Sequence, residues 1–150
     1  MLYSHGAPKG AKEGAGDLED EQVKALAQNG GILCLHFFHH YLNPPMANLD
    51  DLIDHINYIA DLVGIDYVAL GGDYFPLDEN FRRGHRFFAA RDPDKPEPAS
   101  EPLGPIAELD DITKLPNLSR RMVARGFYEE DIQKVLGGNL LRVFQVVFGG

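Results

Sequence analysis

Three short apolar runs mark the first half of this chain, roughly thirty residues apart, which is the length of one βαβ unit. They are residues 2–4, 32–35 and 67–70, and a helix-period pattern lies between each successive pair. Strand, helix, strand, helix, strand at this spacing admits little besides parallel strands joined by helical crossovers. The first crossover carries Leu18, Val23 and Leu26 among charged residues, with Asp17 as the expected N-cap and Asp20 in the capping-box position. Asn29-Gly30-Gly31 stops it. The second starts at Asn48, keeps Leu49, Leu52, Ile53, Ile56, Ile59, Ala60 and Val63 at helical spacing, and ends at Gly64.

The second half reads differently. Residues 74–111 form one long connection in which five prolines fall between Pro93 and Pro105. A segment of this length is either a lid over a site or an insertion. Helical patterns then resume at Pro116-Asn117, over residues 129–136, and over residues 139–148, where Leu140, Leu141, Val143, Phe144 and Val147 make the apolar side. The chain of 150 residues has room for one domain with a real core. Its net charge of -9 argues against nucleic acid and anionic membrane surfaces as partners, because the phosphate attraction would be reversed. No apolar run approaches the roughly 18 residues of a membrane span, and Met1 runs into Leu2-Tyr3-Ser4-His5 without a signal-peptide pattern. The cytoplasm is the default expectation for its compartment. The abrupt start on a strand reads as a chain entered in the middle of a longer domain. Cys34, the single cysteine, sits inside an apolar run and is expected to be a buried structural thiol.

Parallel α/β proteins place their chemistry just past the C-terminal ends of the strands. Here His5 follows the first run, His36-Phe37-Phe38-His39-His40-Tyr41 follows the second, and Gly71-Gly72-Asp73 follows the third. Each exit carries a group able to bind a metal or move a proton. His5 is either a zinc-competent imidazole or a capped loop histidine. His39 and His40 are adjacent and point apart on an extended chain, so this group reads as the aromatic and polar wall of a cleft. His55 falls within a helix, as a surface or packing residue, and His85 lies in the solvated loop Arg82-Arg83-Gly84-His85-Arg86. The glycines before Asp73 permit a sharp turn that holds its carboxylate at the sheet mouth.

These residues resemble the membrane (renal-type) dipeptidases, zinc peptidases of the amidohydrolase-like TIM barrels. Tyr3-Ser4-His5 is similar to the family's F-S-H strand end. Asp54-His55-Ile56 through Val63-Gly64, then Val68-Ala69-Leu70-Gly71-Gly72-Asp73, resembles its D-H-I and V-G-x-G-[GS]-D segment. Asp111-Ile112-Thr113-Lys114-Leu115-Pro116-Asn117-Leu118 and Gly137-Gly138-Asn139-Leu140-Leu141-Arg142-Val143-Phe144 resemble its closing D-[VI]-[ST]-K-x-P-x-L and G-x-N-x-L-R-V-F. The resemblance covers the family's C-terminal part. It implies an α/β fold made of about three βα units of a (β/α)8 barrel, with a Pro-rich insertion and C-terminal helices.

The resemblance also implies a reaction: hydrolysis of a dipeptide amide by metal-activated water, with two zinc ions as cofactors. Only His5 carries over as a metal ligand, because the family's H-x-D motif, bridging glutamate and further histidine all lie upstream of the matched segment. Asp73 carries over as the residue that takes the water's proton and passes it to the leaving amine. Phe38 and Tyr41 fall where the family places substrate-cleft residues. Two departures stand out. The family's carboxylate-binding arginine is absent, with Gly16 at its place and only Lys9 and Lys12 nearby, and Asp73-Tyr74-Phe75-Pro76 lacks the second aspartate of G-D-F-D-G. The leading expectation is therefore a metallodipeptidase fragment, inactive alone and a weak metal binder. A non-catalytic remnant that completes a barrel with another chain, a homo-oligomer, and an amidohydrolase of a different amide or lactone are the alternatives.

Overall fold

The computed structural model describes residues 1–74 and 104–149. Strands β1 (Leu2–Gly6), β2 (Ile32–Leu35) and β3 (Val68–Leu70) form a parallel sheet in the order β1-β2-β3. The helices that join them are α1 (Asp20–Gln28) and α3 (Leu49–Val63), with a short α2 (His39–Leu42) between β2 and α3. After residue 104 come α4 (Pro116–Ala124), α5 (Glu129–Gln133) and α6 (Asn139–Phe148). The α/β reading and the two crossovers hold. The third strand is shorter than expected, because Tyr67 belongs to a 3-10 turn, Ile65–Tyr67.

A parallel sheet hides both faces, and β2 is buried along its whole length. Alternation sorts its residues. Leu33 and Leu35 join Val68 on the face that packs against Val23 and Leu26 of α1 and Leu52, Ile53, Ile56 and Ile59 of α3. Ile32 and Cys34 join Ala69 on the opposite face, covered by Val143 and Leu140 of α6. Cys34 is thus a packed thiol as expected, and burial pushes its pKa up to about 11. Each fully buried Leu or Ile contributes about 1.5–3 kcal/mol of transfer free energy.

Helix α3 begins where the sequence says. The Asn48 side chain accepts from the backbone N–H of Asp50 and Asp51, while Asp51 accepts from the Asn48 N–H at 2.8 Å. Gly64 ends it at φ 106°. Helix α1 starts later than expected. Glu19, not Asp17, is its N-cap, and Gln22 completes the capping box. The Asp17 carboxylate is already engaged, accepting from the Ala7 N–H at 2.9 Å and the Tyr3 hydroxyl at 2.7 Å.

Two further boundaries differ from expectation. The helix read over residues 129–136 stops at Gln133, and a π turn, Lys134–Gly138, leads directly into α6. Residues 104–111 are packed rather than looped out: Ile106 and Leu109 are fully buried, and the Ile106 N–H donates to the Phe37 carbonyl at 2.9 Å. The remainder of the expected long connection, with His85 and the Phe75-Pro76 departure, lies outside the described residues. Buried Asn139 opens α6 and donates to the carbonyls of Ile65 and Val68, both at 2.8 Å, tying the last helix to the entry of β3. Arg125 spans Asp50 and Asp54 at 3.0 and 2.6 Å, and Arg121 pairs with Asp50, so α4 is pinned to α3.

Candidate active site at the strand ends

The ladder continues one residue past β2. The His36 N–H donates to the Gly6 carbonyl at 3.0 Å, and the Gly71 N–H donates to the Leu35 carbonyl at 2.8 Å. These bonds hold the exits of the three strands flush. His36 stands at the middle exit, with His5 on one side and Asp73 on the other.

Tight packing explains the two glycines before Asp73. A Cβ at Gly71 would collide with the Ser4 carbonyl and the Cys34 side chain, and one at Gly72 would press on the rings of Phe37 and Tyr74. Asp73 itself has φ 47°, the only positive φ outside glycine among the described residues. Aspartate tolerates this left-handed region better than most residues, at a cost of order 1 kcal/mol. The turn brings Asp73 Oδ2 to 3.6 Å from His36 Nε2, while leaving its side chain half exposed.

His36 is buried, at 2% exposure. Tyr41 stacks on its ring at 4.6 Å and 11°, and Phe38 meets it edge-on at 4.2 Å and 75°. The Phe38 N–H donates to its Nδ1 at 3.2 Å. Burial pushes the His36 pKa down to about 4, against a smaller opposing pull from Asp73. The ring is therefore neutral at physiological pH. His5 is exposed; Ser4 Oγ lies 2.8 Å from its Nδ1, and its ring is edge-on to His36 at 5.7 Å.

The structure thus gathers all four residues named from sequence, His5, Asp73, Phe38 and Tyr41, around one residue that was not singled out. His36 was grouped with His39 and His40; His39 has other surroundings, while His40 lies in the same cluster, its ring 6.4 Å from that of His36. Buried His39 takes the Ala47 N–H on its Nδ1 at 2.9 Å, and His40 tilts over Tyr41 at 4.4 Å. The signal that separates His36 was position: it is the first residue past β2, whereas His5, expected past the first strand, lies inside β1 one residue before its end, and Asp73 lies three residues past β3. His55 proves to be a packing residue. It is buried, with Nδ1 2.9 Å from the Asp51 carbonyl and no hydrogen-bond partner for Nε2 among the described residues.

Imidazole and carboxylate are donors that zinc takes, but a catalytic zinc needs about three protein ligands. Among the described residues, no group of three or more His, Cys, Asp or Glu side chains could hold a metal ion. These residues do not form a metal centre by themselves. What they can do alone is hold a carboxylate, half in solvent, beside a fixed neutral imidazole. No helix among the described residues is long and apolar enough to cross a membrane.

The model of the membrane dipeptidase family, peptidase family M19, matches residues 1–81 and 101–148. Dipeptidase ataJ of Aspergillus terreus is 29% identical over 98% of this chain and 30% of its own length. Dipeptidase 3 of Mus musculus is 28% identical over 98% of this chain and 25% of its own. Among solved structures, an amidohydrolase from Pseudomonas aeruginosa superposes with a TM-score of 0.79 at 26% identity, over all of this chain and 46% of that one. A metallopeptidase from Rhodobacter sphaeroides, bound to a phosphinate mimic of L-Ala-D-Ala, shares the fold at a TM-score of 0.69 and 17% identity, over 96% of this chain and 35% of that one. The chain spans less than a third of the curated relatives and less than half of the solved ones.

Proposed function

The chain belongs to the membrane dipeptidase family, and from that premise we propose that it is the C-terminal part of a zinc-dependent (β/α)8-barrel dipeptidase, supplying the proton-handling residue and one metal ligand. The observation that carries this reading is the convergence of three strand exits on one site, with Asp73 held by a left-handed turn beside His36. Asp73 would act as general base and then general acid, taking a proton from the attacking water and giving it to the leaving amine. Its half-exposed side chain suits that exchange. Phe38 and Tyr41 form the aromatic wall behind it. His5 would be one imidazole ligand of a set completed from outside the described residues, and the metal's role is to activate the water.

The experiment measures zinc content and dipeptide hydrolysis on this chain, alone and joined to the preceding part of a dipeptidase barrel. The chain alone is expected to hold less than one zinc and to turn over no dipeptide. In the completed barrel, His5→Ala is expected to lower zinc content and activity together. Turnover insensitive to both His5→Ala and Asp73→Asn would overturn the assignment.

A second reading, an amidohydrolase acting on a different amide, is favoured by Gly16. This residue has φ 73°, and a Cβ there would lie 2.7 Å from the Pro8 carbonyl carbon and oxygen. The position that resemblance gives to an arginine thus has no room for a side chain. If this reading holds, a C-terminally amidated dipeptide is cleaved as well as the free acid. A preference for the free acid above about tenfold counts against it.

A further inference from the structure

We propose that His36 is a positioning residue for Asp73: its Nε2–H points at the Asp73 carboxylate and fixes the orientation from which that carboxylate exchanges a proton. The inference rests on the reading of Asp73 as the proton-handling residue.

The Phe38 N–H donates to His36 Nδ1 at 3.2 Å, so Nδ1 carries a lone pair and no proton. The hydrogen of the neutral ring is then on Nε2, the atom 3.6 Å from Asp73 Oδ2. The ring cannot easily turn to offer anything else. Tyr41 covers one face at 4.6 Å, Phe38 abuts it edge-on at 4.2 Å, and the His36 backbone is tied to Gly6. A donor held this way is preorganised, and it faces an acceptor whose own backbone is held in an uncommon conformation. The gap of 3.6 Å is longer than a mature hydrogen bond. Closing it takes only a small rotation of the half-exposed Asp73 side chain, and catalytic hydrogen bonds commonly tighten when substrate arrives.

His36 differs in kind from its neighbours in this arrangement. His5 is exposed and would serve a metal, and Asp73 would touch the reacting water. His36 touches neither and acts through Asp73. The packing around it also gives Tyr41 a second task, clamping the imidazole as well as lining the cleft.

Imidazole 15N NMR on the metal-free chain tests this, and requires no turnover. His36 is expected as the Nε2–H tautomer, with Nδ1 bare. Asp73→Gly removes the carboxylate while suiting the positive φ, and it is expected to shift the His36 Nε2 signal and leave Nδ1 in place. The Asp73 carboxylate 13C signal is expected to move in His36→Leu and to be largely restored in His36→Gln, whose amide N–H reaches the same place. An Nδ1–H tautomer, an Nε2 signal indifferent to Asp73→Gly, or loss of the Nε2 proton on adding zinc would each overturn the proposal. The last result would make His36 a metal ligand. Failure here leaves the role of Asp73 standing, because that role is read from the activity of Asp73→Asn; an active Asp73→Asn with the NMR coupling intact would sink the role and keep the contact.

Discussion

Gly71 illustrates how closely the strand exits approach one another. Its Cβ position is taken by the Ser4 carbonyl across the sheet mouth and by the Cys34 side chain. Gly71→Ala is therefore expected to destabilise the chain by about 1–3 kcal/mol, as overpacking does, read from chemical denaturation. A second prediction at this scale concerns pH. Burial lowers the pKa of His36 to about 4 and moves those of His39 and His55 in the same direction. The unfolded chain then binds protons first, near the ordinary value of 6.5, so stability rises with pH between about 4 and 6.5 and is lost on acidification through that window. His36 alone accounts for roughly 3 kcal/mol across it. Melts between pH 7 and 4.5 are expected to show a falling Tm, with a shallower fall in His36→Gln. Equal slopes for the two proteins would contradict the assignment of buried neutral His36. None of this was visible in the residue string. The His36–Asp73 contact depends on the register between β2 and β3 and on a left-handed Asp73, neither of which a local pattern encodes.

At the scale of elements, hydrophobic period and caps carried the sequence a long way. Helix α3 has both its ends and its buried face written in the chain, and Ile56 lies at the centre of that face with no exposure. Ile56→Ala is expected to cost about 2–5 kcal/mol in denaturant midpoint shifts with an unchanged slope. Helix α2 was not legible, since four residues hold no period, and the expected cap Asp17 was diverted by tertiary bonds to Tyr3 and Ala7. The G-x-N motif shows the limit from the other side. It could be recognised as a resemblance, yet the work of Asn139 is only apparent once its amide is seen bridging the carbonyls of Ile65 and Val68. Asn139→Ala removes the amide donor from both carbonyls, leaving Ile65 with the Val68 N–H, and is expected to cost about 1–3 kcal/mol. A substitution there that leaves the unfolding midpoint unchanged would contradict this role.

At the scale of the whole molecule, the described residues hold one three-stranded parallel sheet with β2 at its centre. Among the described residues β1 and β3 each pair with β2 alone, and α6 exposes Leu141, Phe144, Val147 and Phe148. Open edges and apolar surface of this kind favour association. Sedimentation of the chain at rising concentration is accordingly expected to show self-association, reduced by Phe148→Lys; a monomer at all concentrations would contradict it. Such surfaces agree with relatives two to four times longer than the matched segment. Among the described residues no group of three or more His, Cys, Asp or Glu side chains could hold a metal ion, so the ligand role expected of His5 rests on the resemblance alone. The role proposed for Asp73 is to handle the proton in amide hydrolysis. Its most direct test is kcat for a dipeptide in the completed, zinc-loaded barrel, comparing the unaltered chain with Asp73→Asn. A fall of roughly 10²–10⁴-fold with zinc content unchanged is expected. Turnover within twofold of the unaltered protein at equal zinc would contradict it.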